Sequence, residues 1–149
     1  MDYLAHGLWS YIFFNKTEKP KWAVFWGLFP DNLSWAIFLI YQLVFFGFTF
    51  DRPVLDQIPN WVMILYGLGH SLVVFGVVAL FIYWIFGKLP VYLWAWPIEI
   101  VMDIFTHTKE FLPTPFLWPI SNFYVDGISW AQPWFFIVNY VAIVLCLAW

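Results

Sequence analysis

Long apolar runs dominate this chain, and a few polar clusters mark where one element ends and the next begins. Residues 3–14 are apolar but too few to cross a bilayer, which takes roughly 20 helical residues, so they predict a short or half-inserted helix carrying His6. A polar turn at residues 15–21 follows, then a second short apolar piece from Trp22 to Phe29 that Pro30-Asp31-Asn32 interrupts. Leu33 to Phe50 is long enough to span, and residues 51–60 carry loop chemistry. Trp61 to Phe86 is a long spanning candidate interrupted only by small residues and His70-Ser71, with Gly67 and Gly69 placed to let another helix backbone approach. After Gly87-Lys88, Leu89 to Thr106 predicts a helix kinked at Pro97, which has no N–H to donate. Lys109 to Gln132 is rich in proline and aromatics and reads as a surface-lying re-entrant loop, and Pro133 to Trp149 is a final helix of near-spanning length. The pattern predicts an all-α polytopic membrane helix bundle, with about four spanning helices plus short or re-entrant ones. It forms a single transmembrane domain over residues 1–149.

Composition sharpens this picture. The chain is 64% hydrophobic and 10% charged, with 18 Phe, 12 Trp and 8 Tyr, whereas soluble domains carry about 25% charged residues. Little material is left for a soluble head. A formal charge of -3 with no basic run excludes direct nucleic-acid binding. Lysines 16, 19, 21 and 88 bias their two connections towards the cytoplasm, and tryptophans 22, 61, 84, 94, 118 and 130 sit near predicted ends as interfacial anchors do. Cys146 is the single cysteine, which rules out a disulfide or a thiolate metal site within one chain. Residues 1–14 have no basic leader, so no cleavable signal peptide is expected.

The candidate chemistry lies in the few ionisable residues within apolar stretches: His6, Asp31, His70, Glu99, Asp103 and His107, which include all three histidines. Glu99, Asp103 and His107 recur at four-residue intervals, so on a helix they fall within an arc of about 80° and along ~12 Å of axis. Carboxylates crowded on one apolar face are costly unless a cation or a shared proton compensates them. A helical hairpin closed by the turn at 15–21 would bring His6 and Asp31 to a similar depth. Carboxylate oxygens with imidazole nitrogens suit a divalent ion, zinc first and manganese as the alternative. Plainer roles exist for each residue: Asp31 as the cap of a helix beginning at Leu33, His70 as an interhelical hydrogen-bond donor, Asp103 and His107 as a local pair. Together, three imidazoles and three carboxylates exceed the needs of one four-coordinate zinc, leaving either a second metal or a general acid/base. Asp103, His107, His70 and Asp31 are the expected ligands, His6 and Glu99 the second-site ligand or base, and Glu99 or Asp31 the acceptor of a proton from metal-bound water.

The same residues resemble a family of membrane-bound, metal-dependent hydrolases of prokaryotic inner membranes, some described as LexA-binding. That family has an N-terminal histidine followed by Pro-Asp-x-Asp, Thr-His-Ser, His-x-x-x-Asp-x-x-Thr-His and Leu-Trp-Pro-Phe motifs. The corresponding residues here are His6, Pro30-Asp31, Gly69-His70-Ser71, Asp103-Ile-Phe-Thr106-His107 and Leu117-Trp118-Pro119-Ile120-Ser121, in the same order over most of the chain. Leu33 stands at the second aspartate of the first motif, Gly69 replaces threonine, and Glu99 stands where the family has histidine. The resemblance implies a multi-pass protein of the prokaryotic cytoplasmic (inner) membrane with a metal site. The function expected is metal-dependent hydrolysis of a phosphate or acyl ester of an amphipathic, lipid-like substrate. Two other readings stand beside it: an ion or proton relay, with the six residues strung along the membrane normal, or a small structural subunit of a membrane complex. The expected partners are membrane lipid and the lipid-like substrate, with a membrane-protein partner or self-association left open.

Overall fold

A computed structural model describes residues 1–47 and 58–149, and all regular structure among them is helical. The end of the Leu33–Phe50 stretch and most of the expected loop at 51–60 lie outside the described residues.

Helix α1 spans Tyr3–Phe14 and starts on Asp2, whose carboxylate accepts a hydrogen bond from the Ala5 amide at 3.0 Å. This satisfies one of the amide donors that a helix start leaves without an intrahelical partner. The polar turn then reverses the chain into α2, Pro20–Phe46, so the hairpin expected from the sequence forms. The two helices meet closely because Gly27 leaves room for Ser10: a Cβ at Gly27 would lie 1.8 Å from the Ser10 hydroxyl oxygen.

Pro30-Asp31-Asn32 was expected to break the apolar run, yet α2 passes through it without interruption. Residues Asn32–Ala36 widen into a π-helical turn, and the Ser34 hydroxyl donates to the Pro30 carbonyl at 3.2 Å. A proline inside a helix removes one amide donor, and a π turn is one way to absorb the mismatch while keeping the axis. The converse holds for Trp61 to Phe86. That expected single span is two helices, α3 (Asn60–Gly69) and α4 (Leu72–Phe86), bent by 57° at His70-Ser71. Ser71 takes the N-cap of α4, accepting from the amides of Val73 and Val74 at 3.1 and 3.2 Å. Its hydroxyl thus feeds a new helix start instead of continuing the old one.

After a 3-10 turn, Val91–Trp94, helix α5 runs Ala95–Thr106. Pro97 is not a kink here, because it sits in the first turn, where its missing N–H has no intrahelical acceptor anyway. Residues 107–132 contain no helix, and α6, Pro133–Ala148, ends the chain with 16 residues, as the near-spanning final run suggested. About four spanning helices were expected. Among the described residues one, Pro20–Phe46, is long and apolar enough to cross a membrane, and the bent pair α3 and α4 makes up to two. The 12 residues of α5 reach only about 18 Å, short of the roughly 30 Å of a hydrocarbon core.

Packing centres on Trp96 of α5, which stacks on Trp26 at 5.9 Å between ring centroids and meets Phe29 edge-on at 4.8 Å. Phe75, Ala79, Leu93, Ile100 and Ile104 complete this core between α4 and α5. The distribution of polarity is inverted relative to a water-soluble domain. His6, Ser10, Ser34, His70, Ser71, Glu99, Asp103 and Asn139 are buried, whereas Leu39, Ile40, Leu43 and Val44 of α2 and Val77, Leu80, Phe81 and Trp84 of α4 face outward.

Candidate metal centre

Four segments supply the site. Helix α1 brings His6, the Pro30 region of α2 brings Asp31, the α3–α4 corner brings His70, and α5 with its end brings Glu99, Asp103 and His107. The corner reaches Asp31 because position 69 is glycine: a Cβ there would lie 2.9 Å from Pro30 Cα, a backbone atom with no room to yield. Trp96 fastens the same corner, its indole N–H donating to the Gly69 carbonyl at 2.6 Å. The sequence pattern thus leads to one pocket by way of a bend and a close backbone approach.

All six candidate residues meet there. His6, His70 and Glu99 are fully buried, and Asp103 and His107 nearly so; Asp31 is the most open, at 13%. His6 Nε2 lies 2.9 Å from Asp103 Oδ1 and 3.9 Å from Glu99 Oε1. His70 Nε2 lies 3.3 Å from Glu99 Oε1, 3.6 Å from Asp103 Oδ2 and 3.7 Å from Asp31 Oδ1. His107 Nε2 lies 3.7 Å from Asp103 Oδ2, and the Met1 amino nitrogen also contacts Asp103, through Oδ1, and lies 3.3 Å from His107 Nε2.

Apart from the Met1 amine on Asp103 and His107, these ionisable groups lie close to one another without hydrogen-bonding to one another. Among the described residues, His6 Nδ1 and Nε2, His70 Nε2, both Glu99 oxygens and Asp103 Oδ2 are buried with no hydrogen-bond partner. Even the 2.9 Å approach of His6 to Asp103 lacks hydrogen-bond alignment. Buried polar atoms are ordinarily satisfied, and leaving one unmade costs about 1–3 kcal/mol. A metal ion satisfies several at once. Two sets, His6 with Asp31 and Glu99, and His70 with Glu99 and Asp103, have ligand atoms all within 4.8 Å of one another and could hold an ion.

The histidine tautomers favour the same use. His70 Nδ1 lies 3.0 Å from the Tyr66 carbonyl, which can only accept, so Nδ1 donates and Nε2 is the nitrogen turned towards the carboxylates. His107 Nδ1 is likewise held by the Leu112 carbonyl at 2.8 Å. Backbone carbonyls that fix the far nitrogen of a ligand histidine are a common feature of metal sites. Imidazole nitrogens and carboxylate oxygens form a donor set that could hold a metal ion.

Sequence reasoning missed the residues that hold the ligands. Tyr66 packs at a 32° tilt against the His70 ring, with centroids 4.0 Å apart, and its hydroxyl donates to the Leu112 carbonyl at 3.2 Å while lying 3.2 Å from His107 Nδ1. Its place one helical turn before His70 was a usable signal for the carbonyl contact. Leu112, which adopts a positive φ of 51°, carried no signal at all. The segment after α5 is also more tightly bound than a surface loop. The amides of Gly127, Ile128 and Trp130 donate to the carbonyls of His107, Phe105 and Thr106, satisfying the end of α5. Ser71 reaches the Trp118 carbonyl, and Leu72 N–H donates to Phe116 O at 2.9 Å, so the same segment also binds the His70 corner.

No family model, curated protein or solved structure matches this chain.

Proposed function

We propose that this protein is a metal-dependent hydrolase of the prokaryotic inner membrane, acting on a phosphate or acyl ester of an amphipathic substrate. The observation that carries the reading is the convergence of buried, unpartnered imidazole and carboxylate atoms from three separate segments, with Asp31 of α2 beside them. An interior that polar is expensive unless it is used, and a bound divalent ion supplies both compensation and reactivity. The ion would polarise an ester and lower the pKa of a bound water. His6, His70, Asp103 and His107 would hold it. Glu99, deep in the pocket, and Asp31, at its more open side, are the carboxylates placed to accept the water's proton.

The membrane assignment rests on the outward apolar faces of α2 and α4. In this reading α2 crosses once and the bent α3–α4 pair crosses again, while α1 and α5 are tucked against them. The order of the motifs that resemble those of the inner-membrane hydrolase family supports the same reading. Gathering of the six groups within a few ångströms favours a centre over a relay strung along the membrane normal.

The test uses protein purified in a mild detergent and offered a short-chain phosphatidic acid and a fluorogenic fatty-acyl ester. Hydrolysis of one of them, abolished by chelator and restored by zinc or manganese, is the expected result. Asp103→Asn should lower the rate by at least about 100-fold, more than the 10–100-fold typical of residues that only support a ligand. Metal content in wild type equal to that of His70→Ala, or rates indifferent to chelator, would dismiss the centre.

A further inference from the structure

We infer that the centre takes two divalent ions bridged by Glu99 and Asp103; this deepens the metal-site reading above and rests on it. The two candidate ligand sets share Glu99, so one carboxylate belongs to both. His6 and His70 approach the same oxygen, Glu99 Oε1, at 3.9 and 3.3 Å, one from α1 and the other from the α3–α4 corner. Asp103 divides in the same way. Its Oδ1 faces His6 at 2.9 Å, and its Oδ2 faces His70 at 3.6 Å and His107 at 3.7 Å. A carboxylate with each oxygen turned to a different histidine is arranged to bridge.

Ligand supply leads to the same number. A single ion taking all six side chains would have a closed shell, whereas a reactive zinc keeps about three protein ligands and an open position. Divided between two ions, the side chains give His6 and the shared carboxylates on one side, and His70, His107 and the shared carboxylates on the other. This leaves Asp31, beside His6 and Glu99, rather than the bridging Glu99, to accept the water's proton. The spacing suits this division. Zinc–ligand bonds of about 2.0–2.1 Å at tetrahedral angles set neighbouring ligand atoms ~3.4 Å apart, and most of the nitrogen–oxygen separations here, 3.3 to 3.9 Å, lie near that value. Both Glu99 oxygens, His70 Nε2 and Asp103 Oδ2 are buried without partners and open to the ions, and the contact that has to give way is that of the Met1 amine with Asp103 Oδ1.

The whole chain in detergent, stripped with chelator, reloaded with manganese and freed of excess ion by gel filtration, provides the test. Two ions per chain by elemental analysis, with the spin-coupled spectrum of a manganese pair, are expected. His6→Gln, which removes one donor from only one side, should bind one ion and show an isolated manganese signal. One ion per chain in wild type with an uncoupled spectrum overturns the pair and leaves a single-ion hydrolase standing. No bound ion overturns both readings. Should His6→Gln elute as aggregate, the wild-type count and spectrum decide alone.

Discussion

His70 shows how much of this site is set by groups that never touch an ion. Its ring packs at a tilt against that of Tyr66, whose carbonyl fixes the Nδ1 proton and whose hydroxyl braces Leu112, the acceptor for His107. Tyr66→Phe removes only the hydroxyl, so it should leave the number of bound ions unchanged and weaken each by about 10-fold, the low end for supporting contacts. A competitive chelator titration of wild type and variant reads this directly. Unchanged affinity would mean that the Leu112 carbonyl holds its position without Tyr66. His6, His70, Glu99, Asp103 and His107 could be singled out from sequence because charge in apolar surroundings is conspicuous. Tyr66, Leu112 and Trp96 could not, since an aromatic or aliphatic residue among 64% hydrophobic residues carries no contrast.

At the scale of elements, two breaks and one continuation decide where the site falls. The bend at His70-Ser71 turns the imidazole inward, and the π turn after Pro30 carries Asp31 past a proline without ending α2. Glycine at position 69 allows the two to meet. Gly69→Ala should destabilise the protein by about 1–3 kcal/mol, the usual cost of forcing atoms into packed backbone, because its Cβ would lie 2.9 Å from Pro30 Cα. Gly76→Ala is the control: nothing lies within 4 Å of a Cβ there, so it should be neutral or stabilise α4 by up to about 1 kcal/mol. Thermal unfolding in detergent, followed by tryptophan fluorescence, distinguishes the two substitutions. Equal shifts would show that the corner and Pro30 do not touch as described. The bend was hard to read beforehand because His70-Ser71 is a short polar interruption in a run whose hydropathy continues on both sides. Ser71 became a cap only through its place in the turn.

For the whole molecule, the inverted polarity sets the expectation. A chain that turns Leu39, Ile40, Leu43 and Val44 outward should remain with the membrane after alkaline carbonate washing and leave it only with detergent. Leu43→Asp, at a position 57% exposed on the longest apolar helix, should impair insertion. The cost of an acidic residue near a helix centre is about 2.5–3.5 kcal/mol. The check is the membrane-bound fraction of variant and wild type expressed side by side. Release of wild type by carbonate alone would sink the membrane reading.

The residue order by itself determined that this protein is helical, strongly apolar and equipped with six ionisable groups out of keeping with their surroundings, because periodicity and polarity contrast are local properties of a chain. It also foretold the α1–α2 hairpin, whose closing turn is polar and lies between two apolar pieces. Only the tertiary structure decided that fewer helices than expected are long enough to cross a membrane, that the His70 corner bends by 57°, and that Glu99 and Asp103 lie between histidines from different segments. Those outcomes depend on contacts between residues far apart in sequence. A missing Cβ at Gly69, a ring stacked at Trp96 and a carbonyl offered by Leu112 act only once the chain has folded back on itself.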